Sequence, residues 1–232
     1  RRLLIFHQDT QDGSAKVWDV KTGEALTPAL RHAGLMIHQG AFSADGASVL
    51  TVGFDNSCRA WRADTGAPLR QEMRHDGGIS MASFSPDGQR IATAGFDGTA
   101  RLWDSHEDGP AKSILRHEGY VYGVAFSQDG RRLLTASQDG RVRLWRLADE
   151  PWRMTIAHAD STLSIHTAAY SSNGHLIATS GSDGFIRLWN AGTGEARGQP
   201  IPHPGLPVSI TFTLQGDRLA SASSDSLRLT NL

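Results

Sequence analysis

Five tryptophans, Trp18, Trp61, Trp103, Trp145 and Trp189, recur at intervals of 42 to 44 residues. Two other residue types keep step with them. Histidines stand at His32, His75, His117, His158 and His203, and aspartates at Asp12, Asp55, Asp97, Asp139, Asp183 and Asp225. One period held by three residue types means that a single supersecondary unit is stacked along the chain. The unit that begins at His117 reads HEGYVYGVAFSQDGRRLLTASQDGRVRLWRL. Two Asp-Gly pairs, Asp129-Gly130 and Asp139-Gly140, divide it into short runs. Asp-Gly between β-prone runs predicts tight hairpins, because glycine supplies the positive φ that such turns need. Val121 to Phe126 is β-branched and aromatic, and Val142 and Leu144 alternate with Arg141, Arg143 and Trp145, a period of two. A fourth, less regular strand follows each tryptophan. Four short antiparallel strands per period, with no helical stretch, predict an all-β fold.

The phrases FSPDG (84–88) and FSQDG (126–130), the endings RLWD (101–104) and RLWN (187–190), and the period resemble WD40 repeats over essentially the whole chain. Gly-His of that pattern is replaced by Arg-His at 31–32, 74–75 and 116–117, by Ala-His at 157–158 and by Pro-His at 202–203, and Trp-Asp stands only at 18–19 and 103–104. The resemblance implies a WD40 β-propeller of four-stranded antiparallel blades. On this reading residues 1–232 are one propeller fragment with an incomplete ring. Full blades fall at 33–74, 75–116, 117–157 and 158–202, with partial blades at 1–32 and 203–232. The first partial blade is expected to lack its inner strand and the last its outer one, so the chain reads as a piece of something longer. The connector TGEALTPALRH (22–32) and the Arg-rich composition resemble bacterial WD40 arrays.

The recurring polar residues suggest catalysis, but a catalytic set would occur once. By the resemblance, they form a buried hydrogen-bond network in each blade: His32, Thr51, Asp55 and Trp61; His75, Thr93, Asp97 and Trp103; His117, Thr135, Asp139 and Trp145; His158, Thr179, Asp183 and Trp189. Buried polar groups must be paired, and a satisfied network fixes one packing. In the last blade Thr230 takes the tryptophan position, after His203, Ser221 and Asp225. In the first, Gln8 or a neighbour is expected to replace the hydroxyl. The loop IFHQDTQDG (5–13) lacks the acidic order of a calcium loop and is read as a surface loop. Lys16, Arg59, Arg101, Arg143, Arg187 and Arg228 recur two residues before the tryptophan position. They are read as solvent-facing charges, the alternative being a phosphate-binding ring.

Nothing else points to chemistry. There is no G-x-x-x-x-G-K, G-x-S-x-G, C-x-x-C or H-E-x-x-H, so no catalytic residue, metal or cofactor is expected. Cys58, the one cysteine, is read as a packed small residue and excludes an internal disulfide. A reducing, cytoplasmic setting is expected. A net charge of -1 suggests neither a nucleic-acid nor a membrane partner.

In WD40 proteins one face of the blades commonly binds protein partners. Applying the family's pattern, the positions that point there are Met36, His38 and Phe54 in the second blade, Gly78, Ser80 and Phe96 in the third, and Tyr120, Tyr122 and Gln138 in the fourth. The fifth offers polar Ser164, His166 and Ser182, and the last Leu206, Val208 and Ser224. Met36, His38, Phe54, Phe96, Tyr120, Tyr122 and Gln138 are therefore the candidate partner site, since tyrosine and methionine suit interfaces. The expected function is a non-catalytic protein-interaction scaffold or a sensory and regulatory module of a larger protein. The alternative is a small-ligand or enzymatic propeller using a central channel, for which the inner runs GAFS, ASFS, GVAFS, TAAYS and ITFT supply no unique polar cluster.

Overall fold

The computed structural model describes residues 1–7, 13–33, 36–147, 154–158, 163–207, 209–213 and 215–232. Among these there are strands β1 to β22 and no helix. The chain divides into two compact units, Arg1–Ile114 and Leu115–Leu232. Strand-strand pairing is antiparallel in every sheet, and among the described residues four of the six sheets have the four strands that the repeat implies.

In the first unit, β1 (Arg2–His7), β2 (Ser14–Asp19) and β3 (Leu30–Arg31) form a three-stranded sheet. A four-stranded sheet follows, of β4 (Ile37–Phe42), β5 (Ser48–Gly53), β6 (Ser57–Arg62) and β7 (Met73–Arg74). The next comprises β8 (Ile79–Phe84), β9 (Arg90–Gly95), β10 (Thr99–Asp104) and β11 (Ser113–Arg116), with the unit boundary falling within β11. In the second unit, β12 (Val121–Phe126), β13 (Arg132–Ser137), β14 (Arg141–Arg146) and β15 (Met154–Ala157) form one sheet. A second contains β16 (Ile165–Tyr170), β17 (Leu176–Gly181), β18 (Phe185–Asn190) and β19 (Ala196–Pro202). The three-stranded sheet β20 (Ser209–Phe212), β21 (Arg218–Ala222) and β22 (Leu227–Asn231) completes it.

The repeated phrases have local causes. In the turn between the first two strands, Ser43 Oγ donates to Asp45 Oδ1 at 2.6 Å and accepts from Ser48 N at 2.9 Å, with Gly46 at φ +70 between them. Ser127, Asp129 and Arg132 repeat the pattern, and Ser171, Asn173 and Leu176 do so with an asparagine. The side chains thus bond the turn's own backbone, which is why Ser, Asp and Gly recur there. The following hairpin has glycine at positive φ in three sheets, but Asn56 at φ 61 in the second, asparagine being the residue that best tolerates that region.

Apolar side chains of neighbouring sheets make the core. Leu50, Val52, Cys58, Ala60 and Met73 pack with Ala82, Phe84, Ile91 and Trp103 in the first unit. Leu134, Val142, Leu144 and Ile156 pack with Ala168, Ile177 and Trp189 in the second. The alternation read from the sequence places these residues inward, and the indole caps the preceding sheet's aliphatic face. Gln39 adds a polar clamp: its Nε2 donates to Ala82 O at 3.2 Å, and Ala82 N donates to its Oε1 at 3.3 Å.

Candidate functional site

Four polar clusters recur with the sheets. His75 Nδ1–H donates to Asp97 Oδ1 at 3.0 Å, the Thr93 hydroxyl donates to His75 Nε2 at 2.7 Å, and Trp103 Nε1–H donates to Thr93 Oγ1 at 2.9 Å. The directions follow from the pairing, since a carboxylate only accepts and an indole only donates. His32, Thr51, Asp55 and Trp61 are joined in the same order at 2.8, 2.9 and 2.8 Å, and His117, Thr135, Asp139 and Trp145 at 3.1, 2.7 and 2.8 Å. Burial lowers the basicity of each histidine more than the neighbouring aspartate raises it, so the imidazoles are neutral. Burial pushes the Asp97 carboxyl up, but bonds from Thr99 and His75 outweigh it and hold the group at about 2.

Reading the recurring arginines as solvent-facing is incorrect for Arg59, Arg101, Arg143 and Arg187. The Arg101 side chain is only 15% exposed, and its Nη2 lies 2.8 Å from Asp97 Oδ2 and 2.7 Å from Asp76 Oδ2. Arg143 and Asp139 meet at 2.8 Å, Arg187 and Asp183 at 2.7 Å, and Arg59 and Asp55 at 3.6 Å. The hairpin brings the strand residue four positions after each aspartate back over its carboxylate. The spacing Asp55/Arg59, Asp97/Arg101, Asp139/Arg143 and Asp183/Arg187 was visible in the sequence and is the signal that would have found these pairs. Arg228 is exposed and donates to Pro202 O.

The fifth blade also departs from the expected chain. Thr179 bonds both His158 Nε2, at 2.9 Å, and Trp189 Nε1, at 2.8 Å, but no bond joins His158 to Asp183 among the described contacts. Arg187 intervenes: its Nη1 donates to His158 Nδ1 at 3.0 Å while its Nη2 holds Asp183. Because Nδ1 accepts here, the neutral ring carries its proton on Nε2, the opposite tautomer to the other blades. Burial, and then the Arg187 charge, pull His158 down to about 4.

At the two ends the cluster is incomplete. Ile5 pairs with Lys16 as Thr135 pairs with Arg143, so the hydroxyl position of the first sheet holds Ile5 and not Gln8 or a neighbour. Isoleucine cannot accept a hydrogen bond, and the Trp18 indole N–H is buried without a partner among the described residues. Gln8 and Asp12, in the loop weighed against a calcium site, lie outside the described residues. In the last sheet Thr230 pairs with Leu219, the register of the tryptophan, and Ser221 pairs with Arg228. Ser221 Oγ, Thr230 Oγ1 and both ring nitrogens of His203 are buried without partners among the described residues.

The loop residues read as a partner site lie where backbone irregularity re-aims side chains. Each four-stranded sheet has a bulge in its first strand, at His38, Ser80, Tyr122 and His166. A bulge residue is left out of the ladder and its side chain is redirected. In the first unit, the His38 ring meets Phe54 at 4.7 Å between centroids, and Met36 and Phe96 are exposed. A Cβ on Gly78 would lie 2.8 Å from Phe96 Cδ2, so Phe96 rests close over that glycine's backbone. In the second unit, Tyr120 and Tyr122 meet edge to face at 6.4 Å, and Tyr122 meets His166 likewise at 5.7 Å. His166, grouped with the polar fifth blade, therefore joins the aromatic cluster. Gln138 is exposed, and its Oε1 accepts from Tyr120 N at 3.4 Å. Ser164 and Ser182 are half-buried, Leu206 and Ser224 exposed, and Val208 lies outside the described residues.

Among the described residues no three histidine, cysteine, aspartate or glutamate side chains are grouped to hold a metal ion, and no helix is long and apolar enough to cross a membrane. Cys58 is fully buried, and desolvation pushes its thiol well above the ordinary range. The family model described as WD domain, G-beta repeat matches residues 66–104, 109–146 and 151–190, together half of the chain. A comparison with curated proteins finds no match.

Proposed function

The chain belongs to the WD40-repeat family, and on that premise we propose that it is a non-catalytic protein-interaction module, a scaffold or regulatory part of a larger assembly. WD40 repeats generally mediate protein-protein interaction. The observation that carries the reading is the chemistry of the bulge-side loops. Phe54, at the tip of a hairpin, is 56% exposed, and Met36, Phe96 and Tyr120 are exposed as well. Large aromatic side chains at loop tips gain nothing by facing water and contribute most when a partner desolvates them. Each unit carries its own patch: Met36, His38, Phe54 and Phe96 in the first, and Tyr120, Tyr122, Gln138 and His166 in the second. The polar clusters are structural on this reading, because their polar atoms face one another and not solvent. A reducing compartment agrees with the buried Cys58, and the net charge of -1 gives no field for nucleic acid.

The test is capture of partners from cell lysate by the immobilised chain and by a Phe54→Ala, Phe96→Ala, Tyr120→Ala, Tyr122→Ala variant. At least one of the four single changes is expected to weaken a captured partner by about 2 kcal/mol, with an unchanged melting temperature. Ser164→Ala and Ser182→Ala serve as controls and should cost little. Undiminished capture by the quadruple variant rules these loops out as the binding surface.

A further inference from the structure

One register position, where the start of a strand pairs with the end of the next, recurs in all six sheets. It joins opposite charges in two of them, Arg2 with Asp19 and Arg90 with Asp104. Three more have at most one charged residue there. In the sheet of β12 to β15 the position joins Arg132 with Arg146. Residues directly opposite in an antiparallel pair project from the same face, with Cβ atoms about 5 Å apart, and like charges so placed repel. Arg62, at the same position as Arg146, meets Asp64 at 3.1 Å. Arg146 is exposed and has no ion pair among the described residues.

The two arginines share a cavity. Arg132, Leu144, Arg146, Met154, Ala191 and Gly192 line a hollow of about 230 Å³. Its lining carries two positive charges and no carboxylate. Arg132 is half-buried and held in place: its Nη1 donates to Ala191 O at 3.2 Å, and its guanidinium stands 5.9 Å from the centre of the Tyr170 ring on β16. Leu144 and Met154 give the hollow an apolar side. A guanidinium does not lose its proton in a protein, so the pair cannot relieve its repulsion by titrating. An anion that carries two charges relieves it.

We propose that this hollow binds a small organic phosphate, a monoester with a short carbon chain. A phosphate monoester carries close to two negative charges above pH 7, enough to neutralise both guanidinium groups, and its oxygens accept paired N–H bonds from each. A carboxylate or a sulfate ester neutralises only one. The volume lies below the roughly 300–1,000 Å³ of pockets for drug-sized ligands, so the hollow takes the phosphate and a few carbons, which lie on Leu144 and Met154. Arg132 starts β13, whereas Ser137, at its other end, pairs beside the bulge of β12, so the site is separate from the aromatic loops.

Isothermal titration calorimetry of the full chain with propyl phosphate tests this, at low ionic strength where charges are least screened. Propyl phosphate is expected to bind saturably at one site. Propyl sulfate, of the same shape but with one charge, should bind about tenfold more weakly, the worth of one charge-assisted bond. Arg146→Ala should weaken propyl phosphate by about tenfold or more on the same grounds. Arg146→Asp copies the pairing of Arg90 with Asp104, so it should abolish binding and raise the melting temperature of the unliganded chain. Arg131→Ala removes an equal charge from an exposed neighbour and should change the affinity by less than about twofold. No saturable binding of propyl phosphate, equal binding of propyl sulfate, affinity undiminished in Arg146→Ala, or an equal loss in Arg131→Ala would overturn the proposal. Binding of a phosphoserine peptide without binding of propyl phosphate would overturn it as well, in favour of a protein-borne phosphate.

Discussion

Replacing Asp97 and Arg101 singly and together measures what the recurring arginine contributes. The Asp97 carboxylate accepts from His75 Nδ1 at 3.0 Å, Thr99 Oγ1 at 2.7 Å, Thr99 N at 3.0 Å, Asp76 N at 3.2 Å and Arg101 Nη2 at 2.8 Å. Asp97→Ala strips all five donors, among them a buried imidazole and a largely buried guanidinium. Removing one partner of a buried pair costs about 3–5 kcal/mol, and the remaining access to water at Arg101 and Asp76 argues for the lower end, about 3 kcal/mol. Arg101→Gln leaves Asp97 four of its donors and should cost about 1 kcal/mol, the net worth of a partly screened charge-assisted bond. The double variant should be less damaged than the sum of the two by about 1 kcal/mol, because the pair can be lost only once. Urea denaturation followed by far-UV circular dichroism supplies the three free energies, and for a chain of this size 1 kcal/mol moves the melt by about 2–4 °C. A cost for Arg101→Gln within about 0.5 kcal/mol of zero, together with additivity in the double variant, would show that Arg101 behaves as a surface charge and that the ion pair carries no energy.

Stability should fall as the pH is lowered from 7 towards 4. The folded imidazoles of His32, His75 and His117 resist protonation below the ordinary 6.5, and His158 resists it down to about 4, whereas the unfolded chain takes up protons from 6.5 downward. His158 alone accounts for about 3 kcal/mol over that interval, and Asp97 adds a further loss as the pH falls below 3.8 towards about 2. Urea midpoints that stay level between pH 7 and 4.5 would contradict this, and His158→Asn should flatten the slope. Gly95→Ala should cost about 1–3 kcal/mol, because a Cβ there runs into His75 Nδ1 and lies 2.8 Å from Asp97 Oδ1. Ser137, at the same register position in the fourth blade, is fully buried and bonds Gly119 O and Asp139 N, so its replacement by glycine should cost about 1–3 kcal/mol in the same melts through lost hydrogen bonds instead of a clash.

The architecture was legible in the chain because its determinants are local and repeated. Asp-Gly pairs fix hairpins, alternation fixes which face of each strand turns inward, and a period near 42 fixes the unit, so the all-β blade follows without knowledge of any long-range contact. The members of each set could be placed by position, with the aspartate four residues and the tryptophan ten residues after the threonine, while their hydrogen bonding was implied by the family resemblance, and in the fifth blade His158 meets Arg187 instead of Asp183. What a repeat cannot encode is where one copy deviates in space. Arg187 has the same sequence position as Arg101, yet it lies between His158 and Asp183, while Arg101 lies outside the His75–Asp97 bond. Ile5 occupies the hydroxyl position of the first sheet because of the strand register, which depends on which residue pairs with Lys16 and not on spacing from the tryptophan. The bulges at His38, Ser80, Tyr122 and His166 likewise leave no mark on composition, because any residue can be the extra one. Only tertiary packing decided these, as register and hydrogen-bond partners are settled between segments brought together by folding, from Ile5 and Lys16 in adjacent strands to His158 and Arg187 across a sheet.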